Sequence, residues 1–258
     1  MKEIKLLALD MDGTILHDYT VINEPVVKAI KAALQQGVRV LFASGRNFIN
    51  MRPFFERMGF DRLDTAHITN NGCTIVTPQK QILYHAEPPR SDYETLLQRI
   101  TEHKLSCAVA TDVENYSNDP LYDPECPPSA ILNYDELRQI PRASRLSIKA
   151  DSDDLAAALT KGLAFEFANA IDNFYDIWPQ GVDKGTALEW VAGYYGIPLE
   201  NTMAIGDGDN DLGMLRMAGL SAAMGQGSQR AKATATMIAP SIHENGVAFM
   251  IEKYILKA

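Results

Sequence analysis

Cysteine is scarce in this chain, and its placement shows no pairing. There are three, Cys73, Cys107 and Cys126, an odd number with no CxxC spacing. Neither a disulfide framework nor a zinc knuckle is indicated, and the three read as reduced thiols used as small apolar side chains. The five histidines are scattered, with no HxxxH pair, so the common helical zinc signature is missing as well. A basic excess is also absent. The formal net charge of −9 argues against a general binder of nucleic acid or of an anionic membrane. No apolar run is long enough to span a bilayer, and the chain enters a strand pattern at once rather than a signal peptide. There is no internal repeat and no low-complexity segment. The expectation is a soluble cytoplasmic protein. A small anionic substrate stays open, because a local cation reverses the sign of a site.

What is present is an ordinary globular composition, 46% hydrophobic and 22% charged over 258 residues, enough for one large domain or two modest ones. Lys5 to Leu9 is an apolar strand-like run. NEPVVKAIKAALQQG follows with apolar residues at helical spacing, Asn23 as a cap and Gly37 as a stop. VRVLFA reads as a second buried strand, a helix is expected from about Asn47 to Met58, and AHIT reads as a third strand before NNG. This β-α-β-α-β order predicts a parallel sheet covered on both faces. The same grammar returns late, with strands at TMAIG, SAAM and MIA between helices at KGTALEWVAGYYG, DNDLGMLRMAG, QRAKATA and ENGVAFMIEKYIL.

The middle differs. Helices are expected at Tyr93–His103 and Asp153–Lys161, the second capped by Ser152, and strands at Leu105–Ala110, Arg145–Ala150, Leu163–Asn169 and Asn173–Trp178. The last two strands, joined through AIDN, read as a hairpin, and NDPLYDPECPPS reads as a loop. The predicted fold is therefore α/β: a doubly wound, mainly parallel, Rossmann-like core made of residues 1–83 and 180–258, with an α+β unit of residues 84–179 inserted between its halves.

In such a sheet ligands sit outside the carboxyl ends of the strands. Asp10 and Asp12 follow LLAL, Ser44 follows VLFA, Asn70 and Asn71 follow HIT, and Asp207 with Asp211 behind it follows AIG. Gathered on one rim, Asp10, Asp12, Asp207 and Asp211 would have to take up protons unless a cation compensates them. The donors are all oxygen, which suits Mg2+ better than Zn2+. A carboxylate beside Mg2+ can attack phosphorus, and a second can pass a proton to the leaving oxygen. Lys184 offers a point charge to the phosphoryl group, Ser44 a hydroxyl, and the backbone near Met11 and Gly45 further N–H donors.

These stations, DMDGT at Asp10–Thr14, SGR at Ser44–Arg46, KG at Lys184–Gly185 and GDGDND at Gly206–Asp211, resemble the haloacid dehalogenase (HAD) superfamily of aspartate-nucleophile phosphatases. Within it the chain is similar to the Cof-type, subclass IIB, sugar-phosphatase branch, whose TNGA-like turn NNGCTI resembles and whose ending AAMGQG…ENGVA resembles. The resemblance implies that Asp10 is the nucleophile and a metal ligand. It implies that Asp12 is the general acid/base, with its backbone carbonyl on Mg2+, and that Asp207 is the third protein ligand. Asp211 would support the metal site without touching the ion. Ser44, Lys184 and Asn210 would bind phosphate, together with the Met11 and Gly45 amides. Residues 84–179 match the branch's α/β cap in position and size but carry no matching motif. Gln226 stands where Asn is common and Cys73 where Ala is common.

Each residue also has a plain structural reading. Asp12-Gly13 alone could be a turn, Ser44 a helix N-cap, Lys184 a surface lysine, and Asp209 to Asp211 a set of charges favouring a helix dipole. GQGSQR at Gly225–Arg230 reads as a structural turn, Cys126 as a loop residue without a catalytic part, and His17 as a solvated histidine. The expected activity is Mg2+-dependent hydrolysis of a small phosphorylated metabolite, such as a sugar phosphate, through an aspartyl-phosphate. A phosphosugar mutase or phosphotransferase would use the same nucleophile. A phospho-aspartate receiver switch is a third reading, opposed by the insert and by Asp12. A homodimer through an exposed sheet edge of the insert is an open possibility.

Overall fold

The computed structural model describes residues 3–18, 20–120, 127–171 and 173–256. Half of the expected 118–129 loop, including Tyr122 and Cys126, and Asp172 of the AIDN connection lie outside them. The chain opens with β1 (Leu6–Leu9), a short hairpin of β2 (Leu16–His17) and β3 (Val21–Ile22), helix α1 (Glu24–Gln35), β4 (Arg39–Phe42) and α2 (Phe48–Met58). Asn47 caps α2 through its side chain, which accepts from the Asn50 amide. Asn23 stands at the α1 cap position but donates instead to Asn245 Oδ1 at 3.0 Å, tying the helix start to the far end of the chain.

Next come β5 (His67–Thr69), β6 (Thr74–Val76) and β7 (Ile82–His85), which form a separate three-stranded antiparallel sheet. The third strand of the expected parallel series therefore joins β4 only through a single parallel bridge, Ala43 to Ile68. The cause is local: Asn70 and Asn71 both adopt positive φ, which asparagine tolerates better than most residues, and the chain reverses at once. β7 runs to His85, past the expected boundary at residue 83.

The inserted segment supplies α3 (Arg90–Glu102), β8 (Cys107–Ala110), β9 (Asn115–Ser117), β10 (Ala130–Ile131), α4 (Tyr134–Arg138), β11 (Arg145–Lys149), α5 (Asp153–Thr160), β12 (Phe165–Ile171) and β13 (Phe174–Pro179). β9, β10 and α4 carry too little periodicity to be seen in the sequence. The strands form one sheet in the order β10-β9-β8-β11-β13-β12, with β12 and β13 the antiparallel hairpin expected. Period-two alternation divides its faces. Val109, Leu146, Ile148 and Ile177 pack under the helices with Leu97, Ile100, Leu137 and Leu159, so Arg145, Ser147, Asp176 and Trp178 fall on the other face.

The chain then returns through α6 (Lys184–Tyr194), β14 (Thr202–Gly206), α7 (Leu212–Met217), β15 (Leu220–Ala223), α8 (Gln229–Thr234), β16 (Met237–Ile238) and α9 (Gly246–Ile251). β16-β15-β14-β1-β4 is an all-parallel sheet. β1 lies inside it, and its alternate residues feed two apolar layers. Leu7 and Leu9 join Val27, Ile30 and Ile251 on one side, while Leu6 and Ala8 join Leu188, Val191 and Leu215 on the other. A strand buried on both faces needs the unbroken LLAL run. Its polar neighbours can begin only where the sheet ends, at Asp10.

Candidate active site

The carboxyl ends of β1, β4 and β14 place Asp10, Ser44 and Asp207 on one rim. Lys184, the first residue of α6, reaches them from behind. Asp183 caps that helix by accepting from the amides of Gly185 and Thr186, each at 2.8 Å. Gly185 lets the helix start close on α7, since a Cβ there would lie 2.4 Å from the Gly213 backbone. The Lys184 ammonium is fully buried and donates to Asp10 Oδ1 and Asp211 Oδ1, each at 2.6 Å. A buried cation needs such partners, which excludes the surface-lysine reading.

Asp211 is spent on structure. Its second oxygen accepts from the amides of Asp207 and Gly208 at 2.8 and 2.9 Å. With Lys184 on the first oxygen, it clasps the β14 turn. Asp207 accepts from Thr14 Oγ1 at 3.0 Å. Gly13, at φ +82°, allows this approach, because a Cβ there would sit 2.4 Å from an Asp207 oxygen. Oxygens of Asp10, Asp207 and Asp211 lie within 4.8 Å of one another. Burial and the Asp211 charge push the Asp10 carboxyl well up, against the pull of Lys184. Burial, then Asp211, raises Asp207 to about 6. Lys184 rises as well, because Asp10 and Asp211 outweigh its own burial. The oxygen-only donor set and the unmet anionic charge fit a hard divalent cation such as Mg2+.

Asp12 is gripped by Arg46 in a fork: Nε lies 2.9 Å from Oδ2 and NH2 2.6 Å from Oδ1. Arg46 stands inside the SGR station, but nothing in its spacing assigns it to Asp12. Ser44 is buried and accepts from the Arg46 amide at 3.1 Å. It does not cap α2, whose cap is Asn47. Among the described residues the Met11 and Gly45 amides make no internal hydrogen bond. Asn210 is exposed and donates to Asn71 Oδ1 at 3.2 Å. All the expected site residues thus fall on one rim or directly behind it. Thr14 and Arg46 are additions, visible in the sequence only as members of the quoted stations, and Asn71, expected on the rim as a strand-end residue, gains a contact to Asn210.

Outside the rim, Asp209 pins the GQGSQR turn, accepting from Ser228 Oγ at 2.6 Å and Arg230 at 2.8 Å. His17 is not simply solvated: it hydrogen-bonds His243 at 3.0 Å and Asp18 at 2.8 Å. Gln226 bridges the first station to the last turn, donating to the Gly13 carbonyl at 2.6 Å and accepting from the Ile242 amide at 2.9 Å. Cys73 and Cys107 are buried free thiols whose burial pushes each up to about 12, as suits inert packing.

A parallel α/β core with an acidic, lysine-braced rim and an inserted, mainly antiparallel sheet defines a class, and the sequence matches it. Residues 7–251 match the haloacid dehalogenase-like hydrolase family, and the chain belongs to that family. It is similar to two 5-amino-6-(5-phospho-D-ribitylamino)uracil phosphatases of Bacillus subtilis (strain 168). YitU is 28% identical, over 96% of this chain and 97% of its own. YcsE is 29% identical, over 98% and 97%. The fold matches that of the HAD subclass IIB sugar phosphatase BT4131 with a TM-score of 0.84 at 22% identity, covering 97% of this chain and 98% of the other. Among the described residues no helix is long and apolar enough to cross a membrane.

Proposed function

We propose that this hydrolase is a phosphatase of small phosphomonoesters that works through an aspartyl-phosphate on Asp10, with residues 84–179 acting as a cap over the rim. The observation that carries the reading is the Asp10 carboxylate, held at the end of β1 at 2.6 Å from the buried Lys184 ammonium. Beside it lies a second carboxylate, Asp12, in the Arg46 fork. Asp10 attacks phosphorus and the P–O bond to the leaving group breaks. Asp12, released from Arg46 and protonated, gives its proton to that oxygen, then takes one from the water that cleaves the acyl phosphate. Lys184, Ser44, Asn210 and the free amides of Met11 and Gly45 neutralise the phosphoryl oxygens.

Asp10, Asp207 and the Asp12 carbonyl would hold Mg2+, with Asp211 bracing the Asp207 turn. When bound, the ion supplies charge neutralisation between nucleophile and phosphate. The relatives named above are named for a phosphorylated ribityl compound and for sugar phosphates, which supports polyhydroxylated phosphates as the first candidate substrates. The test is release of inorganic phosphate from p-nitrophenyl phosphate. Turnover is expected with Mg2+, and is expected to vanish after chelation or in Asp10→Asn. Full turnover by the variant or by the metal-stripped protein refutes the reading.

A further inference from the structure

We infer that Asp176, a residue of the inserted sheet, is a positioning residue for phosphate recognition: through the amide of Asn71 it sets the orientation of Asn210. The inference rests on the reading above that Asn210 binds phosphate. The connection is a chain of three side chains. Asn210 Nδ2 donates to Asn71 Oδ1 at 3.2 Å, and Asn71 Nδ2 donates to Asp176 Oδ2 at 3.1 Å. A carboxylate only accepts. Asp176 therefore obliges Asn71 to turn its NH2 toward the insert and its oxygen toward Asn210. That oxygen in turn obliges Asn210 to present its own NH2, one hydrogen of which stays free to donate to a phosphoryl oxygen.

Both ends of the chain behave as this requires. Asp176 is immobilised: it forms an ion pair with Arg145, and Ser147 Oγ donates to its Oδ1 at 2.5 Å. Asn71 is 3% exposed, and its backbone amide is locked onto the Ser44 carbonyl at 3.0 Å. Asn210 is exposed, and Asn71 is the one hydrogen-bond partner of its side chain among the described residues. The neighbouring Asn70 also reaches the insert, donating to the Thr111 carbonyl at 2.9 Å and Ser144 Oγ at 3.1 Å. The NNG turn is thus the joint between the two sheets, and the polar order passes through it in one direction, from insert to rim.

The experiment compares Asp176→Ala, Asn71→Gly, their double variant, Asp176→Asn and Asn210→Ala in the full chain with Mg2+. It measures inhibition by inorganic phosphate, and KM and kcat for p-nitrophenyl phosphate and glucose 6-phosphate. Glycine adopts the Asn71 φ of 57° freely. Asp176→Ala and Asn71→Gly are each expected to weaken phosphate inhibition and raise KM by about tenfold, the scale of one hydrogen bond to a charged ligand. The factor should be equal for both substrates, with kcat little changed. The double variant should be no worse than either single, and Asp176→Asn, which keeps an acceptor oxygen, should recover most of the affinity. Additive losses, or a loss confined to one leaving group, overturn the inference. Should Asp176→Ala fail to fold, Asn71→Gly and Asp176→Asn carry the same comparison. If Asn210→Ala binds phosphate normally, the role given to Asn210 fails, and the relay with it. If Asn210→Ala weakens binding while the Asn71 and Asp176 variants do not, only the relay fails.

Discussion

The rim of the parallel sheet and the open face of the inserted sheet both gather charged side chains, but by different means. On the rim each group sits where a strand ends or a helix begins, so the topology fixes its place. Lys184 lies fully buried between Asp10 and Asp211, and Asp211 also holds two backbone amides. On the inserted sheet the charges sit in register on neighbouring strands, with Ser147 opposite Asp176 on β11 and β13, and nothing of the sheet's pairing depends on which side chains they are. A rim residue is therefore constrained by fold and chemistry together. A face residue can change while the sheet stays as it is.

The comparison can be broken most forcefully at the rim. Asp10→Asn should cut turnover on the order of 10^4-fold or more while leaving the melting temperature at or above that of the parent, because it removes one of several crowded buried anions. Equal buried-cation deletions then measure the two regions against each other. Lys184→Met leaves Asp10 and Asp211 uncompensated and should cost about 3–5 kcal/mol in denaturant unfolding. Arg145→Met leaves Asp176 with donors from Ser147 and Asn71 and should cost only about 1–3 kcal/mol. Equal losses would mean that the two clusters are built alike.

Acid sensitivity should come from a third place. His67 on β5 is fully buried among Phe42, Phe55 and Phe60, accepts the Phe42 amide on Nδ1, and is driven by burial down to about 3. The unfolded chain binds the proton first, so its contribution is complete above about pH 6.5. It is lost as pH falls toward 3, with a slope of at most about 1.4 kcal/mol per pH unit. Urea unfolding of the parent and of His67→Asn across that range should differ in slope. The smallest effect is expected from Trp178→Ala, which should shift the preference between glucose 6-phosphate and an aryl phosphate by about tenfold or less. Inhibition by inorganic phosphate should stay unchanged.

The same contrast explains what the sequence revealed. LLALD, VLFAS and AIGD each join a doubly buried strand to its polar end, so the rim could be assembled from strand ends alone. The role of Arg46 is not legible in the sequence, because its reach to Asp12 depends on how two loops fold against each other. The inserted face was illegible. Tyr93 on α3 is buried against the inserted sheet, donating to the Leu137 carbonyl at 2.6 Å, whereas Arg145 on β11 pairs with Asp176 on the sheet's other face. Which face of its own element each occupies decides the difference. Periodicity alone puts the NNG turn after a third parallel strand. Two successive positive φ values are a property no periodicity reports.

The pairing of β1 has a consequence for biosynthesis. Leu6–Leu9 sits between Arg39–Phe42 and Thr202–Ile205, so one flank is available early and the other only after the whole insert has been made. At elongation rates of about 5–20 residues per second, the emerging chain carries an unpaired apolar strand for roughly 10–30 s. A ribosome-bound nascent chain stopped before Thr202 is thus the form most in need of a chaperone, and release from that dependence should coincide with the emergence of TMAIG.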